Sequence, residues 1–339
     1  MQLSGSLKTN RDLSAFANDV REGLCQQGQK QLPCQYFYDD VGTALFEAVT
    51  VLPEYGLTRA DVRLIRRLAP ALTSHFQAPV TVAELGSGTG SKTRRILESL
   101  ARLGPVAYYP IDLSAAALAR CALEMAAVAQ VHPIKATYLH GLQQAVCSRR
   151  PGQPLLVLFL GSTIGNFDRA AAQDFLADVR ACLMPGDALL LGADLIKPLA
   201  RMLLAYDDPA GVTAAFNRNL LARINRELGG NFALRGFAHE ARWDPHHRRI
   251  EMHLRSLKAQ RVSIRAAGFE CELRKDETIW TESCHKFHAE EIREMAAAAG
   301  FECRAQWLDD TWPFAESLLV GQSSSLSSVG QASGLSKEP

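Results

Sequence analysis

Residues 79–97 read Pro-Val-Thr-Val-Ala-Glu-Leu-Gly-Ser-Gly-Thr-Gly-Ser-Lys-Thr-Arg-Arg-Ile-Leu. The apolar, β-branched run from Val80 to Leu85 predicts a buried strand. Gly86, Gly88 and Gly90 follow at every second position, and after Lys92 the pattern turns helical. Glycine lets the backbone turn tightly and come close to a ligand that a Cβ would exclude. A helix starting directly afterwards faces that ligand with its free N–H groups and positive dipole end. The stretch therefore predicts a strand–turn–helix nucleotide cradle.

Three cradles compete for it. A dinucleotide fingerprint needs G-x-G-x-x-G; here the third glycine comes one residue early and Ser91 holds its place. A P-loop needs G-x-x-x-x-G-K-[ST]; Gly86…Lys92-Thr93 comes close, but Ser91 again replaces the glycine. The later apolar run Leu155–Leu160 also ends in Gly161 rather than a magnesium-binding Asp. The third pattern, acid-x-G-x-G-x-G, is Glu84-x-Gly86-x-Gly88-x-Gly90. It resembles the S-adenosylmethionine (SAM) loop of Rossmann-like methyltransferases. Asp112, closing the run Val106–Ile111, stands where a ribose-binding acid is expected, about 20 residues past such a loop.

The 339 residues, 47% of them hydrophobic, suffice for one large domain or two. Lys+Arg number 37 against 36 Asp+Glu, a formal charge of +1, so no basic excess argues for nucleic acid. Apolar runs such as Leu155–Leu160 are too short to span a bilayer, and Met-Gln-Leu-Ser-Gly-Ser carries no signal core. Eight cysteines are scattered without a C-x-x-C pair, which favours reduced thiols and a cytoplasmic location. Without carboxylate or cysteine spacing to match, His246, His247, His285 and His288 give no metal site, and no metal is expected. A monomer is expected.

Along the chain, residues 1–60 predict a packing helix followed by an aromatic, ordered loop with a short helix. Residues 58–74 predict an amphipathic helix capped by Thr58, its arginines solvated. From 61 to 196 strands (80–85, 106–111, 133–138, 155–160, 187–193) alternate with helices (91–103, 114–129, 168–183). Near-continuous apolar strands separated by helices imply a parallel sheet covered on both faces. Residues 197–285 start helical and become β-rich from 235, predicting a substrate-binding cap. Residues 286–320 return to the core with a helix and two strands, and the Ser/Gly-rich stretch 321–339 is expected to be disordered. The fold class is α/β.

In open α/β sheets, ligands bind outside the carboxyl ends of the strands. Those ends supply the glycine loop, Asp112, and the run Gly161-Ser162-Thr163-Ile164-Gly165-Asn166-Phe167. Asn166 offers a donor and an acceptor, or caps the helix at 168. Glu282, in Trp-Thr-Glu-Ser-Cys-His-Lys-Phe, is expected half-buried in an extended pocket strand; were the segment helical, it would pair with Lys286.

Eight motifs in order give the chain a family likeness: Phe-Tyr-Asp-x-x-Gly (Phe37–Gly42), Leu-Pro-Glu-Tyr (Leu52–Tyr55), Glu-Leu-Gly-Ser-Gly-Thr (Glu84–Thr89) with Lys92-Thr93, Phe-Leu-Gly-Ser-Thr-Ile-Gly-Asn (Phe159–Asn166), Ala-Tyr-Asp-Asp (Ala205–Asp208), Phe-Asn-x-Asn (Phe216–Asn219), Ile-Glu-Met (Ile250–Met252) and Thr-Glu-x-x-x-Lys-Phe (Thr281–Phe287). Together they resemble the L-histidine Nα-methyltransferases of ergothioneine biosynthesis. The resemblance implies a Rossmann-like, SAM-dependent enzyme that trimethylates histidine to hercynine. It puts SAM on Tyr38, Gly86, Lys92, Asp112, Thr137 and Tyr138. The amino acid's carboxylate falls to Asn166 and Tyr206, its amino group to Tyr55 and its imidazole to Glu282, with Met252 on the wall. Tyr38 and Tyr55 would orient the amine or relay protons. Two positions depart from the family: Thr137 stands where an acid usually holds the adenine amino group, and Cys284 where Ser typically flanks the imidazole. A thiol is a weak hydrogen-bonding group, so a softened ring contact costs about 1 kcal/mol. Another free amino acid (Trp or Tyr) as substrate, or a non-catalytic SAM-binding protein, are the alternative readings.

Overall fold

The computed structural model describes residues 10–76 and 79–322; the stretch 323–339, expected to be disordered, lies outside the described residues. Gly321 itself closes a strand rather than opening a tail.

The core is an eight-stranded sheet. Thr81–Leu85 pairs in parallel with Ala107–Asp112 on one side and Leu155–Phe159 on the other. Leu155–Phe159 in turn pairs in parallel with Ala188–Asp194. The chain thus builds outward from Thr81–Leu85, then crosses back to its opposite side, and strand order reverses between Thr81–Leu85 and Leu155–Phe159. Phe314–Gly321 and Phe301–Asp309 extend the far edge as antiparallel strands.

The continuous apolar runs follow from burial on both faces. Val82, Tyr108, Leu156, Leu158 and Leu190 pack on one face with the helices Gly56–His75 and Arg94–Leu100. Ala83, Ile111, Val157, Phe159 and Leu191 pack on the other with Tyr138–Ser148, Arg169–Cys182 and Ala289–Ala298.

A second, four-stranded sheet orders Lys30–Gln31, Thr278–His285, Arg249–Ser256 and Phe237–Asp244. The antiparallel pair Gln260–Ile264 and Phe269–Leu273 stands beside it. Joining core and cap are the helices Leu199–Tyr206 and Val212–Leu228. The parallel pairing of Lys30–Gln31 with Thr278–His285 was not legible in the sequence, because a two-residue strand carries no period.

Several expectations are corrected. The strand at 133–138 is only the stubs Gln130–Val131 and Ile134–Lys135, both on Ala107–Asp112. Pro133 has no N–H to give a ladder and sits between the stubs. Tyr138 opens a helix instead, whose Leu142 and Ala145 are fully buried. The helix expected over 91–103 begins at Arg94, since residues 91–93 continue the turn. Tyr55, not Thr58, is the residue before the helix Gly56–His75. The arginines of that helix are not simply solvated: Arg63 forks onto Asp309 at 2.7 and 2.8 Å, and Arg67 donates to the Leu308 carbonyl.

Gly141 marks where helix Tyr138–Ser148 crosses the sheet. A Cβ there would lie 2.3 Å from Ile111 Cγ2. Gly→Ala inside a helix normally gains up to about 1 kcal/mol. Here overpacking against a β-branched side chain reverses the sign, by about 1–3 kcal/mol. Gly141→Ala should therefore lower the urea midpoint; an unchanged or raised midpoint would mean the helix shifts freely on the sheet.

Candidate active site

The two strand ends at the reversal both leave the sheet through left-handed glycine. Gly86 and Gly161 each have φ near 72°. At Gly90 (φ 71°) a Cβ would also strike Cys121 Sγ at 2.7 Å, so glycine there is steric as well as conformational. The loop is tied to its neighbour strand: Gly86 and Ser87 donate to the Ile111 carbonyl, and Gly88 donates to Asp112 Oδ2 at 3.0 Å. Glu84 is 3% exposed and accepts from Thr93 Oγ1 at 2.7 Å and from the Tyr108 hydroxyl. Burial pushes its carboxyl up to about 7, against those two donors. It clasps the loop from beneath. Lys92 is held at 2.5 Å by fully buried Asp61 of the helix Gly56–His75.

Ser162 holds φ 62° without being glycine, and its Oγ accepts the Asp194 N–H at 2.9 Å. This hydrogen bond secures a backbone conformation that costs about 1–3 kcal/mol in a non-glycine residue. The turn delivers Asn166, at the end of the 3-10 helix Thr163–Asn166, to the crevice. Asn166 does not cap the next helix; Asp168 does, accepting from Ala171 N. Instead Asn166 Nδ2 faces Glu282 Oε1 at 3.4 Å, and Asn166 Oδ1 accepts from Cys284 Sγ at 3.5 Å.

Glu282 and Cys284 come from the strand Thr278–His285, and Glu282 pairs across the ladder with Met252. Period-two alternation brings Glu282 and Cys284 to one cavity wall and leaves Ser283 off it. The extended reading of this segment holds: Lys286 bonds Asp194, not Glu282. Burial raises the Glu282 carboxyl to about 7, opposed by the Lys286 charge and the Asn166 amide. Burial likewise pushes the Cys284 thiol up to about 12, helped by the Glu282 charge.

An aromatic wall completes the space. Tyr55 meets Tyr206 edge-on at 6.0 Å and Phe46 at 6.5 Å, while Tyr38 meets Phe46 at 5.7 Å and Phe216 at 6.0 Å. Burial, foremost, holds the phenols of Tyr38, Tyr55 and Tyr206 well above the usual tyrosine range, so all three keep their protons at neutral pH.

These groups line one cavity of about 500 Å³. Tyr38, Tyr55, Gly86, Lys92, Asp112, Tyr138, Asn166, Tyr206, Met252, Glu282 and Cys284 all border it. Thr137 does not: it is exposed at the start of its helix and makes no capping bond. Sequence reasoning missed Phe46 and left Phe216 as part of a motif without a role; both line the cavity. The four histidines considered for a metal fall at three separate places. His246 and His247 lie in a surface turn, His285 is buried against the Gly165 carbonyl, and His288 caps the helix Ala289–Ala298.

A parallel sheet with reversed strand order, a glycine loop tied to the acid of the next strand, and an adjoining polar–aromatic slot define a SAM-dependent methyltransferase. A family profile described as histidine-specific, SAM-dependent methyltransferase matches residues 16–320. The chain belongs to that family, as the eight motifs implied. It is 40% identical over 305 residues to a "Histidine N-alpha-methyltransferase" of Mycobacterium tuberculosis, covering 90% of this chain and 94% of that one. It is 39% identical over 324 residues to the protein of the same name from Mycolicibacterium smegmatis, covering 94% and 99%. A more distant relative, 25% identical over 86% of this chain and 88% of its own, is the "L-tryptophan methyltransferase" of Psilocybe serbica. No helix of the described residues is long and apolar enough to cross a membrane.

An acid whose folded value of about 7 exceeds its ordinary 4.5 holds a proton that the unfolded chain releases between those values. Glu282 therefore costs the ligand-free fold stability as pH rises through that window. Glu282→Gln should raise the urea midpoint at pH 8 and leave it nearly unchanged near pH 4.5. An equal effect at both pH values would show that Glu282 is not titrating in this window.

Proposed function

We propose that this chain transfers methyl groups from SAM to the α-amino nitrogen of L-histidine, three in succession, giving hercynine for ergothioneine biosynthesis. The observation that carries the substrate choice is Glu282, a half-buried carboxyl on the cavity wall that burial raises to about 7, facing Asn166 and sharing the cavity with Tyr206. A carboxyl of that kind shares a proton with an imidazole, whose own value lies near 6.5.

The residues fit SAM. Gly86 leaves room beside the Tyr138 ring, where a Cβ would sit 3.3 Å from it. Asp112 keeps lone pairs for a ribose, and Lys92 keeps protons for a carboxylate after satisfying Asp61. Bound there, SAM supplies an electrophilic methyl group on a sulfonium. The protein's own contribution is alignment and exclusion of water. Asn166 and Tyr206 hold the substrate carboxylate, Glu282 holds the ring, and Met252 fills the wall between. Tyr55 and Tyr38 orient the amine through their hydroxyls. Because they remain protonated, they pass the released proton on to water rather than store it. Phe46 and Phe216 add apolar ring faces that accept a growing alkylammonium without competing hydrogen bonds.

We assign the reaction no metal, since displacement at a sulfonium expels a neutral thioether. We assign it no nucleic-acid partner, since the charge is balanced. We assign the protein a cytoplasmic setting, which its eight free cysteines support.

Purified protein with SAM and each of the twenty amino acids, read by mass, tests the reading. Histidine alone should gain three methyl groups; tryptophan or tyrosine gaining them instead would replace it, and no turnover at all would leave a SAM-binding protein. Glu282→Ala should weaken histidine binding far more than SAM binding, whereas equal losses would move Glu282 out of the substrate slot. Cys284→Ser should preserve or tighten histidine binding, because a hydroxyl replaces the thiol that donates to Asn166. A severe loss would mean the slot is shaped for something else.

A further inference from the structure

We propose that Lys286 is a positioning residue: it makes the Tyr206 hydroxyl an obligate donor toward the cavity and so selects amines that carry a free α-carboxylate. The proposal rests on the amino-acid reading of the slot. Lys286 follows the strand Thr278–His285 and is 1% exposed. Its Nζ donates to Tyr206 Oη at 2.7 Å and to Asp194 Oδ2 at 2.9 Å. Tyr206 borders the cavity, whereas Lys286 stands behind it.

Counting protons settles the direction. An ammonium has three hydrogens and no lone pair, so Tyr206 Oη can only accept in that contact. Its own hydrogen is left for another acceptor. In the ligand-free protein that hydrogen meets the Cys284 sulfur, which gives its own hydrogen to Asn166 Oδ1 and is a poor acceptor. A substrate carboxylate is a far better one, because the bond is then charge-assisted.

The charge behind Tyr206 is fixed in place. Asp194 receives Lys286, Lys197 at 2.7 Å and Trp312 Nε1 at 3.0 Å. Its backbone N–H goes to Ser162 Oγ and its carbonyl accepts from Phe287 N. Burial lowers the Lys197 ammonium to about 8; below that pH two ammoniums around one carboxylate leave a net positive charge in a water-excluded place, where it acts on an anion more strongly than at a surface.

The test compares histidine with histamine, which keeps the imidazole and the amine but lacks the carboxylate. Binding is measured by calorimetry with S-adenosylhomocysteine present. Lys286→Met should raise the Kd for histidine about 10- to 100-fold while histamine changes little. Equal weakening of both, or weakening of neither, overturns the proposal. Tyr206→Phe removes only the hydroxyl and should show the same selective loss, with Lys286→Met adding little on top. An intact preference for histidine over histamine in Tyr206→Phe overturns the proposal even if Lys286→Met fails to fold. Failure of the unmodified protein to bind histidine would overturn the amino-acid reading itself.

Discussion

The structure depends on an opening that the backbone itself keeps clear. Neighbouring strands Thr81–Leu85 and Leu155–Phe159 carry their connections away in opposite directions, and each ends in glycine at positive φ. A close-packed parallel sheet offers few places where a ligand can reach its edge; the reversal of strand order is one. Each further feature of the site serves that crevice. Asp112 and the Ile111 carbonyl hold one lip, and Ser162, bonded to the Asp194 N–H, holds the other.

Buried charge then fixes both the floor of the loop and the junction of core and cap. Asp61 and Lys92 pair under the glycine loop, and fully buried Glu316 lies close by, its carboxyl held well above the usual range by burial and by the Asp61 charge. Asp194, Lys197 and Lys286 form the second cluster where the last parallel strand meets the cap strand, with Phe287 N donating to the Asp194 carbonyl and Ile196 N to the Phe287 carbonyl. Buried ion pairs rarely add much net stability, but losing one partner costs about 3–5 kcal/mol. The Asp194 cluster acts against alternative dockings of the cap, because any other arrangement strands the Lys286 charge.

Much of this was legible in the residues. The apolar runs, the glycine spacing and the acid at 112 gave the sheet and its cradle, since burial and turn geometry leave local traces. The extended setting of Glu282 was legible from its Thr, Ser and Cys neighbours. The misses share a cause. The strand expected at 133–138 failed because Pro133 interrupts an edge ladder, and Leu142 and Ala145 signalled the helix that replaced it. Arg63 and Arg67 seemed to belong to a solvated face because Asp309 and Leu308 are far away in the chain. Phe46 and Phe216 carried no functional signal, as an aromatic in a helix is ordinarily core.

By itself, then, the chain's order of residues determined an α/β sheet with a SAM-type loop, and eight ordered motifs placed it in its family. Those properties are written in short-range spacing. Only the tertiary structure decided that Thr137 is exposed and outside the cavity lining, that Lys286 serves Asp194 and Tyr206 rather than Glu282, and that phenols from three separate segments share one wall. Contacts between residues tens to hundreds of positions apart leave no local pattern; they exist only once the sheet, the joining helices and the cap have closed around the same space.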